Sequence, residues 1–163
     1  KDVRAIMKQP FAVTAIGQFR KDLGPGRSLL YLGDNAGEIV FDTLLVEEIL
    51  KTGTGVIFTV KSGPVINDAT MKDAVVSGMT RLTKVIETGS DDIGVNWRRS
   101  SRQFRAAFRN ADIIIAKGHG NFETCHDLPV NIYSLLKAKC TVVANALGVK
   151  LGDIAFHHAR GLR

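Results

Sequence analysis

Four stretches of this chain are apolar almost without a break: residues 29–32 (LLYL), 56–60 (VIFTV), 112–116 (DIIIA) and 140–144 (CTVVA). A strand with one wet face alternates apolar and polar residues. A run without alternation is buried on both faces, as in a parallel sheet covered by helices. Helical periodicity falls between these runs, at 38–51, 68–77, 100–110 and 132–139, and weaker strand patterns lie at 84–87 and 154–156. Strand–helix repetition of this kind predicts an α/β fold: a three-layer α/β/α sandwich with a largely parallel central sheet, Rossmann-like. Residues 1–23 read as helix, broken at Pro10 and closed by a Gly-Pro-Gly turn. They are read as the helical remnant of an N-terminal region, and 24–163 as the α/β domain.

With 163 residues, 45% of them apolar and 23% charged, the composition is that of one soluble domain with a full core. No apolar run approaches the roughly 20 residues of a membrane helix, and no leader pattern suggests secretion. The chain begins at Lys1 rather than Met, as a fragment or processed product would. Cys125 and Cys140 form no CxxC pair, which favours a reducing, cytoplasmic setting. His119, His126, His157 and His158 show no zinc-like spacing with them.

The net charge of +6 comes mostly from Arg98, Arg99, Arg102, Arg105 and Arg109. Four of these share one helical face, opposite Trp97, Phe104 and Phe108. The simplest reading is a solvated basic face. No recognisable nucleic-acid module accompanies it, so nucleic acid is not the expected partner, and neither is a membrane.

In open parallel sheets, ligands bind outside the carboxyl ends of the strands. After the first run comes GDNAGE, with Asp34, Asn35 and Glu38. After the second comes KSGPVINDAT, with Asn67 and Asp68. After DIIIA comes KGHGNFE, with Lys117, Gly118, Gly120, Asn121 and Glu123, and after CTVVA comes Asn145. Each turn alone could be helix capping. Together they put oxygen donors suited to a hard divalent ion beside a lysine and a glycine-rich loop suited to phosphate. Metal plus phosphate cradle is the equipment of phosphoryl transfer.

LGDNAGE with a following Asp42, GPVINDAT and AKGHGNFE, in this order, resemble the damage-control phosphatase family, long known as domain of unknown function 89. The resemblance runs over roughly residues 28–150. It implies an α/β/α fold and a metal-dependent phosphomonoesterase, a hydrolase acting on small phosphorylated metabolites such as sugar phosphates. By resemblance, Asp34, Asn35 and Asp68 are metal ligands. Lys117 contacts the phosphate, and Gly118, Gly120 and Asn121 form its loop. The implied cofactor is one divalent ion: manganese, magnesium, cobalt or nickel. Glu38, Asn67 and Glu123 are the candidates to support these residues from behind. Glu38 also suits the start of a helix, where negative charge is favoured. Most of the family's helical N-terminal region has no counterpart here.

Two chemical routes stay open: direct attack by water, or an aspartyl-phosphate on Asp34. The alternative to an enzyme is a binding module for phosphometabolites or nucleotides, without turnover.

Overall fold

The apolar runs at 29–32, 56–60 and 112–116 become the middle of one seven-stranded sheet. The structure, a computed structural model, describes residues 8–160. Its strands are β1 (Phe11–Thr14), β2 (Ser28–Leu32), β3 (Gly55–Val60), β4 (Lys84–Glu87), β5 (Ile113–Lys117), β6 (Asn131–Lys137) and β7 (Ile154–Arg160). Its helices are α1 (Ile16–Asp22), α2 (Ile39–Lys51), α3 (Met71–Val76), α4 (Met79–Leu82), α5 (Arg102–Asn110), α6 (Gly118–Cys125) and α7 (Thr141–Leu147). The strand order is β1-β7-β6-β5-β2-β3-β4. Strands β2 to β6 run parallel; β7 pairs antiparallel with β6, and β1 parallel with β7.

Unbroken apolar strands are needed because both faces are covered. Leu29 and Tyr31 of β2, with Ile113 and Ile115 of β5, pack on Phe19, Ile39, Val46, Ile49 and Met79 from one helical layer. Their neighbours Leu30, Leu32, Ile114 and Ala116 pack on Phe104, Phe108 and Cys125 from the other. All eight strand residues are buried. Each large aliphatic side chain so buried contributes about 1.5–3 kcal/mol.

The sheet grows in both directions from its middle. From β2 the chain moves outward through β3 and β4, then crosses back to β5 on the other side. The carboxyl ends of β2 and β5 therefore border a topological switch point, where open α/β sheets bind ligands.

Four local expectations are corrected. Residues 132–139, read as helix, form strand β6; residues 140–144, read as strand, open helix α7. Ile132, Leu135 and Leu136 carry a helical spacing, but β6 lies between β5 and the seven-residue β7, and that pairing outweighs the local pattern. The β-branched residues of 140–144 are helical because Cys140 Sγ caps Val143 N–H and Gly148, at φ +67°, closes the helix. Residues 118–125 are helix rather than glycine-rich loop. In the segment read as helix at 1–23, Ile16–Asp22 is helical, but Phe11–Thr14 is an edge strand of the same sheet; residues 1–7 lie outside the described residues.

Candidate functional site

Asp34 leaves β2 through Gly33, whose position admits no side chain. A Cβ there would lie 2.8 Å from the Thr59 carbonyl oxygen and 2.9 Å from the Phe58 ring. The turn then pairs with the segment after β3: Asn35 bridges Asp68, Ala36 N–H donates to Asn67 O at 2.8 Å, and Ala69 N–H to Asp34 O at 2.7 Å. Backbone pairing thus sets Asp34, Asn35 and Asp68 side by side, although 33 positions of sequence separate the last two.

The capping explanation of these residues fails. Among the described residues, neither Asp34 nor Asn35 offers its side chain to an amide of α2. Helix α3 is capped by Thr70, which exchanges hydrogen bonds with Asp73, so Asp68 is not its cap. Asn35 instead donates Nδ2 to Asp34 Oδ2 at 3.1 Å and to Glu38 Oε1 at 2.7 Å.

The side chains crowd negative charge. Burial, then Glu38 and Asp68, push the Asp34 carboxyl up to about 6. Burial raises Asp68 as well, against the pull of Lys61. For Glu38, burial acts upward, but Lys117 and Asn35 outweigh it and hold the carboxyl below its ordinary value. The donor set fits a hard cation: two carboxylates held above their usual range, and a carboxamide whose nitrogen is already engaged, leaving its oxygen. Asp34, Asn35 and Asp68 are the residues that could hold such an ion.

Lys117 ends β5, and its ammonium is claimed by Asp42 Oδ1 at 2.8 Å and Glu38 Oε2 at 3.0 Å. Burial acts to lower its pKa, but these two carboxylates prevail and raise it. Asp42 was missed as a site candidate in its own right. It is buried, accepts the Tyr31 hydroxyl at 2.6 Å, and keeps Oδ2 without a hydrogen-bond partner. Its signal was a carboxylate on the apolar stripe of α2, at helical spacing from Glu38.

Gly118 follows at φ +79°, and a Cβ there would stand 2.0 Å from Asp34 Oδ2, so only glycine lets β5 meet this carboxylate. Asn121 spends both amide hydrogens on the protein's own backbone. It donates Nδ2 to Gly33 O at 3.0 Å and Lys117 O at 2.8 Å, tying the two strand ends together. Gly120 packs on the loop at 93–94. Asn67 and Glu123 are exposed, and Asn145 lies within α7 instead of at a strand end. The α5 arginines Arg102, Arg105 and Arg109 are exposed, as is Arg98, while Phe104 and Phe108 are buried.

A second lysine also went unread. Lys61, directly after β3, is buried beside Asp68, with Nζ 3.5 Å from Oδ2. It donates to Asp92 O at 2.8 Å and to Gly94 O. Its signal matched that of Lys117: a lysine directly after an apolar strand.

Asp34, Glu38, Lys117, Gly118, His119 and Lys139 line a cavity of about 290 Å³ at this switch point. Two larger hollows, of about 450 and 460 Å³, lie elsewhere and are mainly apolar. The acidic end of β2 and the basic end of β5 thus meet in a space suited to a small anionic ligand and its cation.

Known proteins show the same arrangement of sequence and fold. The family model of the damage-control phosphatase ARMT1-like domain matches residues 1–155. A damage-control phosphatase of Pyrococcus horikoshii is 39% identical over 156 residues, 94% of this chain and 54% of its own length. One of Archaeoglobus fulgidus is 38% identical over 136 residues, 82% of this chain and 47% of its own. An uncharacterized protein of Methanocaldococcus jannaschii is 45% identical over 131 residues, 78% of this chain and 43% of its own. The crystal structure of a DUF89 family protein from Pyrococcus horikoshii superposes with a TM-score of 0.91 at 39% identity, covering 96% of this chain and 55% of that one. The chain spans about half the length of the curated relatives it matches.

Proposed function

We propose, on the premise that this chain belongs to the damage-control phosphatase ARMT1-like domain family, that it carries the catalytic machinery of a metal-dependent phosphomonoesterase for small phosphorylated metabolites. The observation that carries the reading is the meeting at the switch point. Asp34 lies against Gly118 at the end of β5, and Lys117 shares Glu38 with Asn35.

Asp34, Asn35 and Asp68 hold the cation, which supplies charge stabilisation to the phosphoryl oxygens when bound. Lys117 binds the phosphate dianion at the other side of the cavity. Its position is set beforehand by Asp42 and Glu38, so its ordering is not left to the moment of reaction. The backbone amides opening α6 are unpaired within the helix and add donors for the same oxygens. Asn121 keeps the β2 and β5 ends in register. Hydrolysis breaks the phosphorus–oxygen bond to the alcohol as a new one forms to an incoming oxygen. That oxygen is water's, or Asp34's in a two-step route completed by water.

The test is phosphate release from a panel of sugar phosphates and other phosphometabolites with magnesium, manganese, cobalt and nickel in turn. Release that needs the ion and disappears in Asp34→Ala supports the reading. Binding without release under every ion overturns it in favour of a binding module. Unchanged ion affinity in Asp34→Ala removes that residue from the ligand set.

A further inference from the structure

His119 and Cys140 show no metal-binding spacing in the sequence, yet the fold brings them together. His119 and Glu123 lie four residues apart on one side of α6, and Cys140 stands at the start of α7. One ligand atom from each of the three lies within 4.8 Å of the others. This group shares no residue with the acidic cluster of Asp34, Asn35 and Asp68.

We propose that His119, Glu123 and Cys140 form a separate divalent-metal site, taking zinc or a similar borderline ion. A nitrogen, an oxygen and a sulfur suit zinc or cobalt(II), whereas the all-oxygen cluster suits harder ions. Tetrahedral coordination at ordinary zinc bond lengths places ligand atoms about 3.5 Å apart. The exposed Glu123 side chain has the freedom to close the remaining gap.

The surroundings prepare the group. His119 Nε2 lies 2.8 Å from Lys137 O and 2.9 Å from Lys139 N. Two tautomers are available: with Nε2 unprotonated it accepts the Lys139 N–H, whereas with the proton on Nε2 it is given to the Lys137 carbonyl, the Lys139 N–H gives up that acceptor, and Nδ1 is left as the metal donor. Cys140 Sγ already acts as an acceptor, toward Val143 N–H at 3.5 Å. Lys139 is the adjacent opposing charge, but it also interacts with Asp34 and Glu38 across the cavity. Three protein ligands leave one position open. Because His119 lines the cavity, that position is within reach of a water or a substrate atom there. On binding, the Cys140 thiol loses its proton to solvent and its sulfur donates to the ion, one proton per ion.

The proposal stands apart from the phosphatase reading and is tested without activity. Metal-stripped protein is titrated with cobalt(II) and then competed with zinc. The expected result is a thiolate-to-cobalt charge-transfer band that zinc removes. Cys140→Ser abolishes the band yet keeps the fold, since serine is a good helix cap. His119→Ala weakens binding by at least about 100-fold, beyond the loss of an outer-shell partner alone. Asp34→Asn leaves the band unchanged, which separates this site from the acidic cluster. Absence of a thiolate band in the parent protein, its survival in Cys140→Ser, or its loss in Asp34→Asn each overturns the proposal.

Discussion

Lys61 and Lys117 stand on either side of Asp34, at the carboxyl ends of the two strands that flank β2. Both are buried, and burial works against the charge of each. Their outcomes are opposite. Lys117 has two carboxylates within 3.0 Å, and its pKa rises. Lys61 has one carboxylate at 3.5 Å and two backbone carbonyls, and its pKa falls. Asp34 and Asp92 also pull on Lys61, so the closeness of the counter-charges, and not their number, decides whether a buried lysine stays a firm cation. Lys117 is suited to hold an anion. Lys61 is suited to clamp the loop at 92–94 against Asp68.

The strongest way to break this contrast is Lys117→Met. Asp42, left in the core with the Tyr31 hydroxyl but without its lysine, should lower stability by about 3–5 kcal/mol. Transition-state stabilisation should fall by about 2–4 kcal/mol, read as kcat/KM. Adding Asp42→Asn should restore much of the stability, measured by denaturant melts, and none of the activity. Metal affinity should survive in both variants; its loss would make Lys117 a part of the metal site's framework.

Lys61→Met should act through structure. Two carbonyls lose a donor and Asp68 its neighbour, so stability drops by about 1–3 kcal/mol. The change should appear mainly as an altered metal requirement. A kcat loss matching that of Lys117→Met at saturating metal would end the distinction between the two lysines.

The pH dependence of Asp34 sharpens the same point for a carboxylate on which Lys117 and Lys139 act only from a distance, outweighed by burial, Glu38 and Asp68. Its pKa is raised in the fold to about 6 from an ordinary 3.8, so the folded state binds the proton more tightly than the unfolded state does. Stability of the metal-free protein should therefore decline as pH rises through that window. Asp34→Asn should be stabilising above about pH 6, with the gain fading toward pH 4 and shrinking when a divalent ion is added. A gain independent of pH would show that charge crowding is not its source.

The smallest effect is expected on the exposed arginine-bearing surface. Reversing two of Arg98, Arg102, Arg105 and Arg109 should change turnover of a small phosphate ester by less than about tenfold, a barrier change of 1.36 kcal/mol. A loss of several hundredfold would bring that surface into the site.

Strands β2, β3 and β5 were legible because they are buried on both faces and their sequences are almost wholly apolar. Strand β6 was not. In β6, Ser134 and the edge polar residues interrupt the run, and Ile132, Leu135 and Leu136 imitate a helix. What fixes β6 is pairing with β7, a partner about 20 residues away that local pattern cannot supply. At the candidate site, Asp34 and Asn35 just past β2, Lys117 at the end of β5 and Asp68 in the turn after β3 were visible as polar residues following buried strands. Lys61 carried the same mark and was passed over. Asp42 was hidden by its place on an apolar helix face, and the hydrogen bonds by which Asn121 fastens two strand ends have no local signal in the sequence. The grouping of His119 with Cys140 depends on the β6 and α7 assignments and could not be seen without them.

Tyr31 donates to Asp42, Asp42 accepts from Lys117, Lys117 reaches Glu38, Glu38 accepts from Asn35, and Asn35 reaches Asp34. One end of this series is a ring wholly inside the core, stacked on Phe58 at 4.9 Å; the other faces the cavity. Alignment at Asp34 thus has a second anchor in the buried core, beside the backbone pairing of the turn that carries it. A change at Tyr31, which no substrate reaches, would be felt where the substrate sits.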